Sequence, residues 1–176
     1  MAALTEEQSI IRDQAKTWTQ EQAPVQAFRQ MRDAGTANGF DPKTWDEMVE
    51  LGWPGIIVQE QYGGSGLGYL TFGLVLEELG RQLTSSPLLA SGRVGASAIL
   101  LGGNEAQKAT LLPGIAKGTE ILTLALDEGP RHAPEQTALV AEKDGHGFRL
   151  SGEKAFVLEG MAATTLVVAA RTSGAP

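Results

Sequence analysis

The feature that most constrains this chain is a change of hydrophobic period at Gly118. Before it, apolar residues recur at helical spacing; after it, they come in short runs with the two-residue period of strands. Ile11, Ala15 and Trp18 mark a first helix to about Glu21, opened by a capping-box pattern at Thr5 and Gln8. Pro24 interrupts it, and Phe28 and Met31 continue a second piece. Asp41-Pro42 reads as an N-cap with proline at the first helical position, Trp45, Met48 and Val49 form the stripe, and Gly52 closes that helix. Phe72, Leu76, Leu79 and Leu83 line a further helix from about Tyr69. Its adjacent acids Glu77 and Glu78 point in different directions and read as solvated or salt-bridged.

Two stretches in this helical part are rich in small residues. Residues 51–68 hold a short buried strand, Ile56-Ile57-Val58, followed by the loop Gly63-Gly64-Ser65-Gly66. Glycine accumulates in this way where the chain turns with positive φ or approaches another backbone closely. The second stretch is the helix from Ser86-Pro87, with Gly92 and Gly95 in its interior. Each helical glycine costs ~1 kcal/mol against alanine, so the pair implies close packing or room left for a ligand. Gly102-Gly103 ends it, and Asn104 with Gln107 caps a last helix that Pro113 bends.

Beyond Gly118, residues 121–126 and 137–142 read as strands, Asp144-Gly145-His146-Gly147 as a hairpin turn, residues 154–158 as short and β-like, and residues 164–171 as a strong strand. Residues 172–176 read as loop. The expectation is α+β: an all-α helical domain over residues 1–119, then antiparallel β over residues 120–176.

Bulk properties exclude several function classes. A net charge of −7 argues against nucleic acid or an anionic membrane face as partner. No apolar run is long enough to span a bilayer, and no secretory pattern opens the chain. Cysteine is absent, which excludes disulfides and thiolate sites and fits a cytoplasmic protein. His132 and His146 form no metal-like pair. The glycine loop fails the dinucleotide fingerprint, because Tyr69 stands where the last glycine belongs and no βαβ unit follows. No nucleophile elbow is present either.

Taken together, six motifs in order resemble the acyl-CoA dehydrogenase family: Leu4-Thr5-Glu6-Glu7-Gln8; Phe40-Asp41 with Trp45 and Glu50-Leu51-Gly52-Trp53; Glu60-Gln61-Tyr62-Gly63-Gly64-Ser65-Gly66-Leu67-Gly68; Leu76-Glu77-Glu78-Leu79-Gly80-Arg81; Gly103-Asn104-Glu105-Ala106-Gln107-Lys108 with Leu111-Leu112-Pro113; and Gly152-Glu153-Lys154 with Ala169-Ala170-Arg171. The resemblance implies an N-terminal helical domain, a middle antiparallel β-barrel, of which residues 120–176 would be the first part and so an incomplete barrel, and a C-terminal helical bundle. It implies FAD as cofactor, an acyl-CoA thioester as substrate and an enoyl-CoA as product. It also implies electron-transfer flavoprotein as acceptor and assembly as a homodimer, homotetramer or heteromer. No catalytic residue is expected in this chain, the family's glutamate base lying beyond residue 176.

The family's flavin motifs map onto altered residues. Counting forward from Gly118 puts the flavin-contacting threonine at Asp127; counting back from Gly152 puts it at Leu126. The small-residue loop that follows it carries Arg131-His132, which are candidate substrate contacts. The tryptophan motif reads Phe156-Val157-Leu158. The expected cofactor residues are therefore Leu124, Leu126, Asp127, Glu128, Phe156, Val157 and Leu158. Two readings follow: a divergent dehydrogenase that holds FAD through backbone amides, or a flavin-poor, substrate-shaping partner subunit.

Overall fold

The computed structural model describes residues 3–174; Ala175 and Pro176, at the end of the expected terminal loop, lie outside the described residues, as do Met1 and Ala2. Helix α1 (Glu6–Gln22) starts at the Thr5–Gln8 capping box, whose two reciprocal bonds are both formed. Helices α2 (Val25–Ala34) and α3 (Pro42–Glu50) follow. The Asp41 side chain caps α3 by accepting from the Lys43 amide. Helix α4 (Gly68–Arg81) packs along α1. A seven-residue π-helix (Leu89–Gly95) runs into α5 (Ala96–Gly102), and α6 (Glu105–Ala116) opens with a second capping box, Asn104 with Gln107.

The β-part is small. Strand β1 (Leu122–Ala125) pairs in parallel with β4 (Thr165–Val168), and β2 (Val140–Asp144) pairs antiparallel with β3 (Gly147–Ser151). The α-then-β order expected from the sequence holds. The antiparallel expectation holds for the hairpin, but β4 runs alongside β1 in the same direction. The connection from β1 to β4 carries the whole β2–β3 hairpin, long enough for the chain to return in the same sense. No closed barrel forms among the described residues.

Three other expectations change. Ile56, Ile57 and Val58 are buried, but they form turns, not a strand. Their segment is satisfied by the glycine loop: Ser65, Gly66 and Leu67 donate backbone N–H groups to the carbonyls of Gly55, Val58 and Ile56. Gly64 makes this possible, since a Cβ there would lie 2.1 Å from the Val58 oxygen. Residues 154–158 are not β-like either; the backbone turns through Phe156 at φ 52. In α4 the buried face is Thr71, Phe72, Val75, Glu78 and Leu79, while Leu83 lies past the helix end, exposed. Glu78, expected at the surface or in an ion pair, is buried and pairs with Arg81 at 3.4 Å.

The core centres on Trp53, Phe72, Met48, Leu88, Leu112 and Ile115. Trp18 meets Trp53 edge to face, with ring centroids 5.0 Å apart. The small residues of the π-helix serve close packing: a Cβ on Gly92 would touch the Phe72 ring at 3.0 Å, and one on Gly95 would lie 2.2 Å from the Leu122 carbonyl oxygen. Ser91 completes the seam. Its hydroxyl donates to the Glu120 carbonyl at 3.2 Å and accepts from the Leu122 amide at 3.1 Å.

Two helical glycines should therefore respond oppositely to alanine. Gly95→Ala forces β1 away from the π-helix, and we expect a loss of ~1–3 kcal/mol, seen as a lower midpoint in thermal unfolding. Gly73 faces open space within α4, and Gly73→Ala should stabilise by ~0.4–1 kcal/mol. Equal effects would contradict the seam.

Candidate functional site

Strand β1 and the turn before β4 bring the two expected cofactor segments side by side. The Thr123 hydroxyl donates to the Leu158 carbonyl at 2.7 Å, and the Ala155 amide donates to the Asp127 carbonyl at 2.7 Å. Lys154 completes the clamp, its ammonium donating to the Leu126 carbonyl at 2.8 Å and to the Glu128 carboxylate at 2.7 Å. The lysine side chain is only 6% exposed. A buried ammonium is tolerated here because it has both a counter-charge and a carbonyl. Sequence reasoning placed Lys154 in a family motif and gave it no role. The signal was a lone cation leading into Ala155-Phe156-Val157-Leu158, a run whose neighbours had to be partly buried.

The acidic side chains of this site are committed to the loop between β1 and β2. Glu128 accepts from the amides of Ala138 and Leu139 at 2.8 and 2.9 Å, in addition to Lys154. These partners, Lys154 first, hold its carboxyl down at about 2. Asp127 accepts from the Ala133 amide and pairs with His132 Nδ1 at 3.0 Å. That contact lowers the Asp127 carboxyl below its ordinary range and raises the His132 imidazole above its own. Arg131 and His132 stand in the exposed turn of this loop, and Arg131 makes no side-chain hydrogen bond or ion pair among the described residues.

What remains for a cofactor is backbone. Among the described residues, the N–H groups of Leu126, Asp127, Glu128, Phe156, Val157 and Leu158 donate no hydrogen bond. Leu124, Leu126 and Val157 are half-buried, while Phe156 is 82% exposed and Leu158 and Met161 lie at the surface with it. The one hydroxyl on β1 facing this region, Thr123, is spent on Leu158. Unused amides on two clamped strips beside an exposed aromatic ring fit a flat heteroaromatic group such as a flavin, held by main-chain donors without side-chain hydroxyls.

Leu158 also borders an open groove of about 440 Å³. Phe28 of α2, Leu76 and Leu79 of α4, and Leu83, Leu89 and Leu158 form its apolar lining, with Glu159 at one edge. Positive φ occurs at three non-glycine residues among those described: Leu83 (φ 55), Phe156 (φ 52) and Glu159 (φ 51). Leu83 and Glu159 line the groove, and Phe156 lies on the strip next to it. Such conformations cost ~1–3 kcal/mol each and cluster at ligand sites. Glu159 also went unnoticed in the sequence, although a lone acid between Val157-Leu158 and Gly160-Met161-Ala162 marks an unusual setting for a carboxylate.

The sign of the pH dependence follows from Glu128. A carboxyl with a depressed folded value stabilises the loop fully above its ordinary value of 4.5, and that contribution fades as pH falls toward about 2. We expect the Ala138 and Leu139 amides to be protected from hydrogen exchange above this window and to lose protection within it. Lys154→Met should move the loss to higher pH. A profile identical in the two proteins would contradict the clamp.

A family model described as "Acyl-CoA dehydrogenase, N-terminal domain" matches residues 5–119. The mitochondrial isovaleryl-CoA dehydrogenase of Pongo abelii is 35% identical over 96% of this chain and 40% of its own length. The probable acyl-CoA dehydrogenase YngJ of Bacillus subtilis is 31% identical over 96% of this chain and 44% of its own. Among solved structures, butyryl-CoA dehydrogenase from Megasphaera elsdenii superposes with a TM-score of 0.82 at 26% identity, covering 99% of this chain and 46% of that one. A chain of the ChsE4-ChsE5 complex from Mycobacterium tuberculosis gives a TM-score of 0.84 at 27% identity, covering 98% of this chain and 46% of that one. The chain thus spans less than half the length of these relatives. On the match over residues 5–119, this chain belongs to the acyl-CoA dehydrogenase family.

Proposed function

We propose that the chain supplies residues 1–119 as the N-terminal helical domain, and residues 120–176 as the first part of the middle β-barrel domain, of an FAD-dependent acyl-CoA dehydrogenase subunit. The reaction is α,β-dehydrogenation of an acyl-CoA thioester to the enoyl-CoA. The observation that carries this reading is the pair of clamped strips with unused backbone N–H groups, opening beside an apolar groove.

In this reading each local feature has a role. The amides of residues 126–128 and 156–158 hold and orient the cofactor, and Phe156 covers one face of it. FAD, when bound, supplies the hydride acceptor. The groove between α2, α4 and Leu158 keeps water from the acyl chain. Arg131 and His132, exposed at the turn, are placed to meet the polar part of the thioester. No carboxylate of these strips is free to abstract the α-proton, since Asp127 and Glu128 are both engaged, and the reading assigns that step to a base beyond residue 176. Electron-transfer flavoprotein is the acceptor that re-oxidises the cofactor, and the subunit assembles with copies of itself or with a sister subunit. The cysteine-free composition supports a cytoplasmic setting, and no helix among the described residues is long and apolar enough to cross a membrane.

A second reading, that of a flavin-poor partner shaping the substrate site of a sister subunit, is favoured by one observation. Neither Leu126, Asp127 nor Leu158 offers a hydroxyl to a flavin, and Thr123 is already bonded. A relative solved as the two-component ChsE4-ChsE5 complex fits such pairing.

Flavin absorbance of the purified full-length protein separates the two. The first reading expects one FAD per site, and about tenfold weaker FAD binding in Phe156→Ala, the loss of one aromatic contact. A colourless protein recovered only with a sister subunit would overturn it in favour of the second.

A further inference from the structure

Glu159 is the polar group that the flavin-facing clamp does not explain. It stands at the edge of the apolar groove formed by Phe28, Leu76, Leu79, Leu83, Leu89 and Leu158. Its carboxyl makes no hydrogen bond or ion pair among the described residues, unlike those of Asp127 and Glu128. Desolvation alone raises its pKa. Thr84, on the same groove wall, has a buried hydroxyl with no partner. Glu159 is half-buried, so a ligand that fills the groove would strip the remaining water from its carboxyl, and a polar group desolvated without a partner is destabilising.

Backbone strain points the same way. Both Leu83 and Glu159 line the groove and take the left-handed conformation. Neither is glycine or asparagine, the residues that adopt it at low cost. An acid confined to a strained backbone position in an apolar setting is destabilising for the fold alone. The carboxyl is thus left on the groove lining without a protein partner, available to a donor on a ligand. Leu158 joins the groove to the flavin-facing strip, so a ligand whose reactive end lies at the strip extends its apolar body past Glu159.

We propose that Glu159 is a specificity-determining residue that selects acyl groups carrying a hydroxyl on their apolar body, by accepting a hydrogen bond from that hydroxyl within the groove. This rests on the acyl-CoA reading above. A purely hydrocarbon chain leaves the carboxyl desolvated and unpaired; a hydroxylated one satisfies it. Discrimination built on a polar group that would otherwise go unpaired is larger than discrimination by apolar fit.

The test uses the full-length protein and measures binding by calorimetry, so that it reads affinity and not turnover. The probes are dodecanoyl-CoA and a series of its monohydroxy analogues, with the hydroxyl moved along the chain. Wild-type protein should bind one position of hydroxyl at least about tenfold more tightly than the unsubstituted thioester, the size of one hydrogen bond to a carboxylate. Glu159→Gln should keep part of that preference. Glu159→Leu should erase it, and so should Glu159→Gly, which removes the carboxyl and relieves the backbone; Glu159→Gly should also raise the thermal midpoint. Equal binding of all thioesters, or a preference that survives in Glu159→Gly, overturns the role of Glu159 while leaving the acyl-CoA reading intact. Failure of every thioester to bind overturns both.

Discussion

The contact between the π-helix and β1 is the constraint on which the site depends. Ser91 bonds to both the Glu120 carbonyl and the Leu122 amide, and Gly95 lets the strand approach to a distance that a methyl group would forbid. This seam sets where β1 leaves the helical core. From there Leu124, Ala125 and Leu126 lead directly into the loop that carries Asp127 and Glu128. A shift of the seam would move one cofactor strip relative to the helices that wall the groove.

A second arrangement builds on the first. Lys154 converts two separate segments into one surface by bonding to the Leu126 carbonyl and the Glu128 carboxylate. Glu128 in turn holds the amides of Ala138 and Leu139, so a single buried ion pair anchors the start of the hairpin as well. Side-chain polarity in this region is spent on architecture, and the N–H groups of residues 126–128 and 156–158 are left unbonded among the described residues. On the proposed reading, that division would let Leu126 or Asp127 and Leu158 stand at the family's hydroxyl-bearing positions while main-chain donors hold the cofactor. Main-chain donors depend on where the backbone runs more than on which residue carries them.

The legibility of this fold in its sequence divides along physical lines. Local chemistry was readable: Thr5 with Gln8, Asp41 before Pro42, and Asn104 with Gln107 each cap the helix they were expected to cap. The glycines at 92 and 95 left packing and ligand space as alternatives, and their contacts with Phe72 and Leu122 are those of packing. Non-local pairing was not readable. The run Ile56-Ile57-Val58 has strand composition, but the Ile56 and Val58 carbonyls are met by the glycine loop and not by another strand. The parallel partnership of β1 with β4 depends on a connection of nearly forty residues, which no short-range pattern encodes. The candidate site follows the same rule. The segments at 124–128 and 156–158 were identified through family motifs, while the lysine that joins them and the lone acid beside them acquire meaning only from three-dimensional neighbours.

The central claim is that unused backbone N–H groups on two clamped strips hold the flavin. Site-resolved hydrogen–deuterium exchange of the full-length protein, with and without saturating FAD, tests it most directly. The account predicts slowed exchange at residues 126–128 and 156–158 on adding FAD, with no change at Ala138 and Leu139, whose amides are already bonded to Glu128. Stoichiometric FAD binding with unchanged exchange at both strips would contradict it.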